Sequence, residues 1–408
     1  MTALSAFLRD NAAFLLAGAL LTFASSFGQT FFISIFAGEI MDSFDLSDGD
    51  WGLIYSAGTT ASAIVMVWSG VLTDRFRVRR LGGIVLAGLA IACVVMALNP
   101  WVAVLPVSVF LLRFTGQGMT SHIAVVAMAR WFVATRGRAL AIAGAGFALG
   151  EATLPILFVS ALGVTDWRVL WLLAGGIVLI LLPVVQRLLR QERTPQALAE
   201  RDVALGMEGR HWTRSQMLRH PLFWCVLPSV LGPSAFVTAL FFQQVHLTEV
   251  NGWSHAGFVA LFPLYTAVSS LFMLLTGWML DRFGTARLMP FYQLPPALGF
   301  LLMSGAQSLS GAAIAFALMG MTTGANTTLP AAFWAEFYGT RHIGGIKSIA
   351  TAAMVLGSAI GPALSGFLID RGLTFPDQMV GIALWFVAAS ALTGFSVTRF
   401  ATGLARAA

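Results

Sequence analysis

Apolar positions along this chain follow neither a helical stripe nor a strand alternation. They run on continuously, in stretches long enough to cross a hydrocarbon layer of about 30 Å, which takes roughly 20 residues. Twelve such stretches are legible, at about 11–37, 51–73, 81–98, 102–128, 139–163, 167–186, 221–247, 255–280, 288–304, 310–335, 347–369 and 378–398. Backbone groups in lipid must be satisfied within their own segment, so each stretch is predicted to be a helix. The expected fold class is an all-α membrane protein with twelve transmembrane helices. The only long polar stretch opens with Gln191, Glu192 and Arg193 and divides the twelve evenly. This predicts an N-terminal six-helix bundle over 1–186, a central cytoplasmic loop over 187–220 and a C-terminal six-helix bundle over 221–408.

Composition agrees. Only 10% of the 408 residues are charged, against about 25% in soluble proteins, and the mean hydropathy is +0.82. Disorder, coiled coil and secreted disulfide scaffolds are excluded. Cys93 and Cys225 both lie in apolar runs and read as small core residues, not as a redox pair.

A net charge of +6 and a pI near 10.1 could suggest a nucleic-acid partner, so the positions of the charges decide. The basic residues gather in alternate connections: Arg75, Arg77, Arg79 and Arg80, then Arg130, Arg136 and Arg138, then a run of arginines from Arg187 to Arg219. Arg282 and Arg287, Arg341 and Lys347, and the two termini follow the same alternation. Only Arg168 and Arg371 fall in the opposite connections, and Arg113 lies inside a span. The first connection carries Glu39, Asp42, Asp45, Asp48 and Asp50 with no basic residue. Basic residues favour the cytoplasmic side, so both termini are expected there. Basicity thus reports topology: the partners are membrane lipid and a small-molecule substrate, not nucleic acid. The first apolar run is too long for a cleavable signal, so a multi-pass protein of a bacterial cytoplasmic (inner) membrane is expected, acting as a monomer.

The two halves repeat. Gly70-Val-Leu-Thr-Asp74-Arg75-Phe76 recurs as Gly277-Trp-Met-Leu-Asp281-Arg282-Phe283. Ala129-Arg130-Trp131-Phe132 aligns with Ala335-Glu336-Phe337-Tyr338, and Gly146-Phe-Ala-Leu-Gly150 with Gly357-Ser-Ala-Ile-Gly361. Duplicated bundles of this kind build transporters with a site near the membrane midplane. The repeated Gly-x-x-x-Asp-Arg resembles the signature of the major facilitator superfamily, over essentially the whole chain. The first copy departs from it, with Arg77 where the family usually has glycine; the second keeps Gly284. Leu112-Arg113 with Gly116 and Gly118 resembles the family's fourth-span motif. Gly357-x-x-x-Gly361-Pro362 resembles its glycine-rich helix-packing motif, and Glu151 stands at the proline position of the first-half copy.

The resemblance implies two pseudo-symmetric bundles closed at the cytoplasmic end by a gate. Asp74 and Arg75 would work with Arg130 and the start of the eleventh helix, whose dipole favours an anion. Asp281 and Arg282 would do likewise with Arg136 and the fifth helix, with Lys347 near the same rim.

Arg113 lies about 18 Å into its span at 1.5 Å per residue, where an unpaired cation is costly. Glu151, the only acid inside a span, is expected at similar depth on the next helix. Their pairing would be structural, or would form part of a proton or substrate path. His122, half a turn from Arg113 at ideal helical geometry, is either a packing residue or a proton relay. Gln29, Gln243, Gln244, Tyr265 and Asn326 are polar residues in spans whose family counterparts line the cavity; each could bridge helices instead. Trp51, Trp101, Trp167 and Trp253 sit at span boundaries and fit an interfacial belt.

No phosphate-cradling Gly-x-x-x-x-Gly-Lys occurs, so ATP is not the expected energy source. No cluster has metal-ligand spacing. The chain reads as a non-enzymatic transporter without cofactor, with a proton gradient as the coupling ion. Segments such as Arg136-Gly-Arg-Ala-Leu-Ala and Tyr338-Gly-Thr-Arg-His-Ile-Gly-Gly-Ile-Lys347 are similar to bacterial facilitators loosely related to monocarboxylate and oxalate–formate porters. They imply a symporter or antiporter of a small organic anion. A proton-driven exporter of amphipathic compounds and a non-transporting membrane sensor are the alternatives.

Overall fold

The computed structural model describes residues 3–69, 72–132, 135–190, 205–339 and 341–401, with the side chains of Asp74, Arg130 and Arg136 outside the described residues. Most of these residues are helical, and no strand occurs among them. Among the described residues, ten helices are long and apolar enough to cross a membrane. We number the main helices α1 (Phe7–Gly28), α2 (Asp48–Ser69), α3 (Val78–Ala97), α4 (Val102–Met128), α5 (Gly137–Leu162), α6 (Trp167–Leu188), α7 (Pro221–Phe242), α8 (His255–Phe283), α9 (Leu294–Ser304), α10 (Leu309–Asn326), α11 (Gly345–Asp370) and α12 (Phe375–Phe400).

Helices α9 and α10 are the two outside that set of ten. The apolar stretch 288–304 is broken by a turn ahead of Pro295 and Pro296, leaving an 11-residue helix. The stretch 310–335 divides after Asn326, where Thr327 and Thr328 precede a short helix, Leu329–Tyr338, with Pro330 in its first turn. Proline tolerates the first turn of a helix but not its interior hydrogen bonding. Continuous hydropathy concealed both breaks.

The chain divides into two compact units, Met1–Glu200 and Arg201–Ala408. In the first, α1 packs on α5, α2 on α4, and α3 on α6. In the second, α7 packs on α11, α8 on α10, and α9 on α12. The same three pairings arise twice from sequences that share few residues. This is the structural form of the repeated motifs.

Half of the polar central stretch is itself folded. Thr213 and Gln216 form a reciprocal capping box at the start of a short helix, Arg214–Arg219. Trp212 donates its backbone N–H to Tyr338 O at 3.0 Å and its indole N–H to Met207 O at 3.1 Å. The segment 205–220 therefore belongs to the core of the second unit, not to an open loop.

Two of the four boundary tryptophans are not at an apolar surface. Trp51 and Trp167 are buried, and the Trp167 indole donates to Ser43 Oγ at 3.1 Å. The acidic first connection folds back as a helix, Ala37–Phe44, and supplies that partner. Trp101 is exposed, as an interfacial residue would be.

Candidate functional site

The first unit brings three irregular backbones together around Arg113. Helix α1 ends in a single tight turn at Ser26–Gly28, and Gln29 is extended (φ −87°, ψ 154°), so the regular bonding pattern stops after Gly28. Opposite it, α4 winds as a π-helix over Arg113–Thr120. Such widened turns often mark functional positions. Gly28 and Gly116 let the two backbones touch: a Cβ on Gly28 would run into Leu112 O.

Arg113, 1% exposed, donates from Nη1 to Gly28 O at 3.3 Å and to Thr30 Oγ1 at 3.2 Å. Thr30 Oγ1 lies 2.6 Å from the Tyr55 hydroxyl, and the guanidinium carbon stands 5.5 Å from the Tyr55 ring centroid. The Nε–H of Arg113 has no hydrogen-bond partner. Among the described residues, no carboxylate is a hydrogen-bond or ion-pair partner of this cation.

Glu151 is buried on α5 but does not meet Arg113 in the direct pair that their equal depth suggested. The reason is the path of α1. Gly150, beside Glu151, is pressed against Ser26, while Gly116 is pressed against Gly28. The end of α1 is thus wedged between the helices that carry the two charges. His122 follows the π-helical stretch and is partly buried. Because bonding there is i→i+5, an angle reckoned at 3.6 residues per turn does not apply between Arg113 and His122.

In the second unit, Tyr265 on α8 is buried and its hydroxyl lies 2.8 Å from Thr323 Oγ1 on α10. Asn326, one helical turn beyond Thr323, has a buried Oδ1 without a hydrogen-bond partner. Phe241 and Phe316 pack against the Tyr265 ring at 5.2 and 5.7 Å between centroids, and Phe262 packs against both phenylalanines at 5.0 and 5.8 Å. Gln243 sits where α7 breaks and donates from Nε2 to Ser365 Oγ on α11 at 3.1 Å. Gln244 donates to Phe241 O, and its Oε1 is 3.2 Å from His255 Nε2. Tyr265 and Asn326 therefore share one neighbourhood, while Gln243 and Gln244 tie α7 to other elements.

Of the residues expected at the gate, Asp74, Arg130 and Arg136 lie outside the described side chains. Arg75, Asp281, Arg282 and Lys347 are exposed. Arg282 lies over Trp278 and Phe283, at 5.7 and 5.8 Å. The two copies of the motif turn differently. Gly284 adopts φ +71°, whereas Arg77 is extended at φ −63°, ψ 139°. Arg77 therefore occupies a conformation open to any residue. In the second copy Glu336, aligned with Arg130, accepts from the Thr285 backbone N–H at 3.2 Å and from Thr285 Oγ1 at 2.6 Å.

The glycine motifs lie at helix contacts. A Cβ on Gly146 would meet Ala19 O and Thr22 Oγ1 on α1, and one on Gly361 would meet Ala235 O. Ala235 belongs to a second π-helical stretch, Pro233–Val237 in α7. Pro362 lies inside α11.

A family model described as Major Facilitator Superfamily matches residues 18–362 and 239–401. The chain belongs to the Major Facilitator Superfamily. It is a multi-pass membrane protein of that family. Similar solved structures include a bacterial homologue of the human lysosomal transporter Spinster in an inward-facing, occupied conformation. It has TM-score 0.73 at 16% identity, over 97% of this chain and 98% of that one. A mutant of the nucleoside transporter NupG has TM-score 0.71 at 14% identity, over 95% and 99%. Among curated proteins, the Multidrug resistance protein B homolog of Mycobacterium tuberculosis (strain ATCC 25618 / H37Rv) is 28% identical over 175 residues, 40% of this chain. The chain spans 31% of that relative's length.

Thr30, Tyr55 and Thr323 were missed in the sequence. Tyr55 had a signal: it is one of only four tyrosines in the chain, and its span is otherwise poor in large polar groups. Thr30 and Thr323 had none, since a lone threonine in a span is most simply bonded to its own helix.

Proposed function

We propose that this facilitator is a secondary active transporter of a small, monocarboxylate-like organic anion, working by alternating access across a cytoplasmic membrane. The observation that carries this reading is Arg113: a buried guanidinium that donates only to neutral oxygens and keeps one N–H unbonded. A cation held inside a membrane bundle is costly without a counter-charge. A carboxylate is the natural complement, because it can take two parallel hydrogen bonds from a guanidinium. Glu151, a second buried ionisable group in the same unit, supports proton coupling: its protonation would alter the field at Arg113 as the substrate arrives or leaves. Asp74 with Arg130, and Asp281 with Arg136, serve as the cytoplasmic gate.

The similarity to a protein named for multidrug resistance favours a second reading, proton-driven export of amphipathic compounds through the aromatic surroundings of Tyr265. Proteoliposomes separate the two. Uptake of radiolabelled monocarboxylates driven by a pH gradient, and lost in Arg113→Gln, is the expected result. Extrusion of lipophilic cations with no carboxylate transport would replace the anion reading with the exporter.

A further inference from the structure

One end of the second unit is covered by the folded segment 205–220, and the bonds of that segment are of two kinds. Those that shape it are internal. Gly206 donates its backbone N–H to Arg210 O at 3.0 Å, the Trp212 indole donates to Met207 O at 3.1 Å, Thr213 and Gln216 cap each other, and Arg210 pairs with Glu208 at 2.8 Å. Its far end is joined to α7, where the Trp224 indole donates back to Leu218 O at 2.8 Å. Among the described residues a single backbone bond runs to the seat, from Trp212 N–H to Tyr338 O at 3.0 Å. The rest of the docking is apolar: Met207, Trp212 and Met217 are buried in a cluster with Phe333, Phe337 and Ile346. The outward residues Thr213, Arg214, Ser215, Gln216 and Arg219 are exposed. The segment can therefore leave its seat with its own hydrogen bonds intact.

Gly206 is the tightest point of the docking. A Cβ there would stand 2.5–2.6 Å from Gly339 N, Tyr338 C and Phe337 O, all of them backbone. Its φ is −92°, so the contact and not the local conformation calls for glycine. Two buried polar atoms of the docked arrangement have no hydrogen-bond partner, His211 Nδ1 on the segment and the Tyr338 hydroxyl in the seat. Unpaired groups oppose burial, so the segment is held against a standing penalty. The first unit makes the matching aromatic contact from a continuous helix. Phe132, which aligns with Tyr338, takes Phe7 of α1 edge-on at 5.8 Å, as Tyr338 takes Trp212 at 5.7 Å. Only in the second unit does the docking aromatic ride on a separate segment.

The seat is the far end of the short helix Leu329–Tyr338, which joins α10 across the break at Thr327 and Thr328. The same short helix carries Glu336, whose carboxylate accepts from Thr285 in the turn after the second Asp-Arg motif. The three elements thus form one connected line within the second unit.

We infer that segment 205–220 is a releasable strap. Docked, it fixes the short helix and with it the Glu336–Thr285 contact. Released, it lets the short helix pivot at Thr327–Thr328 and frees the turn that follows α8.

The test is hydrogen exchange on the purified full-length protein in detergent, which reads local opening directly and needs no substrate. Gly206→Ala removes no side chain and should undock the strap. Exchange is expected to rise at least tenfold in peptides covering 329–339 and at least fivefold in 281–289, with 378–398 unchanged. Arg214 and Gly345 suit the opposite lock: a Cβ on Gly345 would lie 3.8 Å from Arg214 Cβ, the spacing of a natural disulfide. Oxidised Arg214→Cys/Gly345→Cys should slow exchange at Trp212 and in both peptides at least tenfold relative to the wild type, and a reductant should restore it. Unchanged exchange in 329–339 or in 281–289 on Gly206→Ala would overturn the inference. So would a lock that leaves exchange at wild-type rates, or wild-type strap amides that open no faster than those of 378–398, since such a strap would release only when the whole unit unfolds.

Discussion

Gly116 on α4 and Gly28 at the end of α1 meet backbone to backbone: a Cβ on Gly116 would stand 2.7 Å from Gly28 Cα, and one on Gly28 would stand 2.8 Å from Gly116 Cα. No rotamer change can relieve such a contact, because backbone is on both sides. Gly116→Ala is therefore expected to cost about 1–3 kcal/mol, the usual range for overpacking. It would also push Gly28 O away from Arg113. Thermal unfolding of the purified variant in detergent measures the first effect. An unchanged midpoint would mean that α1 and α4 separate freely, and that the crossing does not hold Arg113 in place.

Thr30 holds Arg113 at 3.2 Å and the Tyr55 hydroxyl at 2.6 Å. Thr30→Val keeps the shape and removes both bonds. A hydrogen bond to a charged group contributes about 1.5–3 kcal/mol, so substrate affinity is expected to fall roughly 10- to 150-fold if Arg113 is the ligand-binding cation. Arg113→Lys should lower affinity further, since an ammonium lacks the planar fork that pairs with a carboxylate. The check is the KM of carboxylate uptake in proteoliposomes. Equal KM values in wild type and Thr30→Val would assign the Thr30 contacts to packing alone.

Much of this was legible in the sequence, for one physical reason. A membrane protein writes its topology in continuous hydropathy and in the placement of charge, and both survive without tertiary information. The long apolar helices and the burial of Arg113 were both readable from that source. The partner of Arg113 was not. It depends on α1 ceasing to be regular at Gly28–Gln29 and on α4 widening into a π-helix, and neither event has a compositional signature among apolar neighbours. The breaks at Pro295 and Thr327 were concealed for a related reason, since hydropathy averages across a turn that is itself apolar. The folded cap at 205–220 was hidden by its polarity, which reads as a loop until Trp212 is seen anchored on Tyr338.

Glu336 fastens the turn after the second Asp-Arg motif by accepting twice from Thr285. Glu336→Gln keeps one acceptor oxygen and loses the charge that favours the helix start. The expected loss of stability is small, about 0.5–1.5 kcal/mol, with a larger change in transport rate if this turn belongs to the gate. Measuring both on one preparation separates the roles. A stability loss with an unchanged turnover number would confine Glu336 to structure.

His220 gives the folded cap at 205–220 a defined response to pH. Its Nδ1 accepts from the Leu222 backbone N–H at 3.3 Å, and its ring packs against Trp212 and Phe400 at 4.9 and 4.6 Å between centroids. Burial lowers its pKa below the usual histidine range; Glu208 pulls it up and Arg210 pulls it down again. The direction has a clear origin, since protonation would destroy the Nδ1 acceptor and place a cation at a helix N-terminus, where the dipole disfavours it. With the folded-state pKa depressed, the unfolded chain binds the proton more readily. Stability is therefore fully present above about pH 6.5, the unperturbed histidine value, and is lost as pH falls from there through the lower folded-state pKa. His220→Asn retains a side-chain acceptor for the helix start but cannot titrate in this range. Thermal unfolding from pH 8 to pH 5 should show a smaller decline for the variant than for the wild type. Parallel declines would place the acid sensitivity in other groups and leave His220 a packing residue.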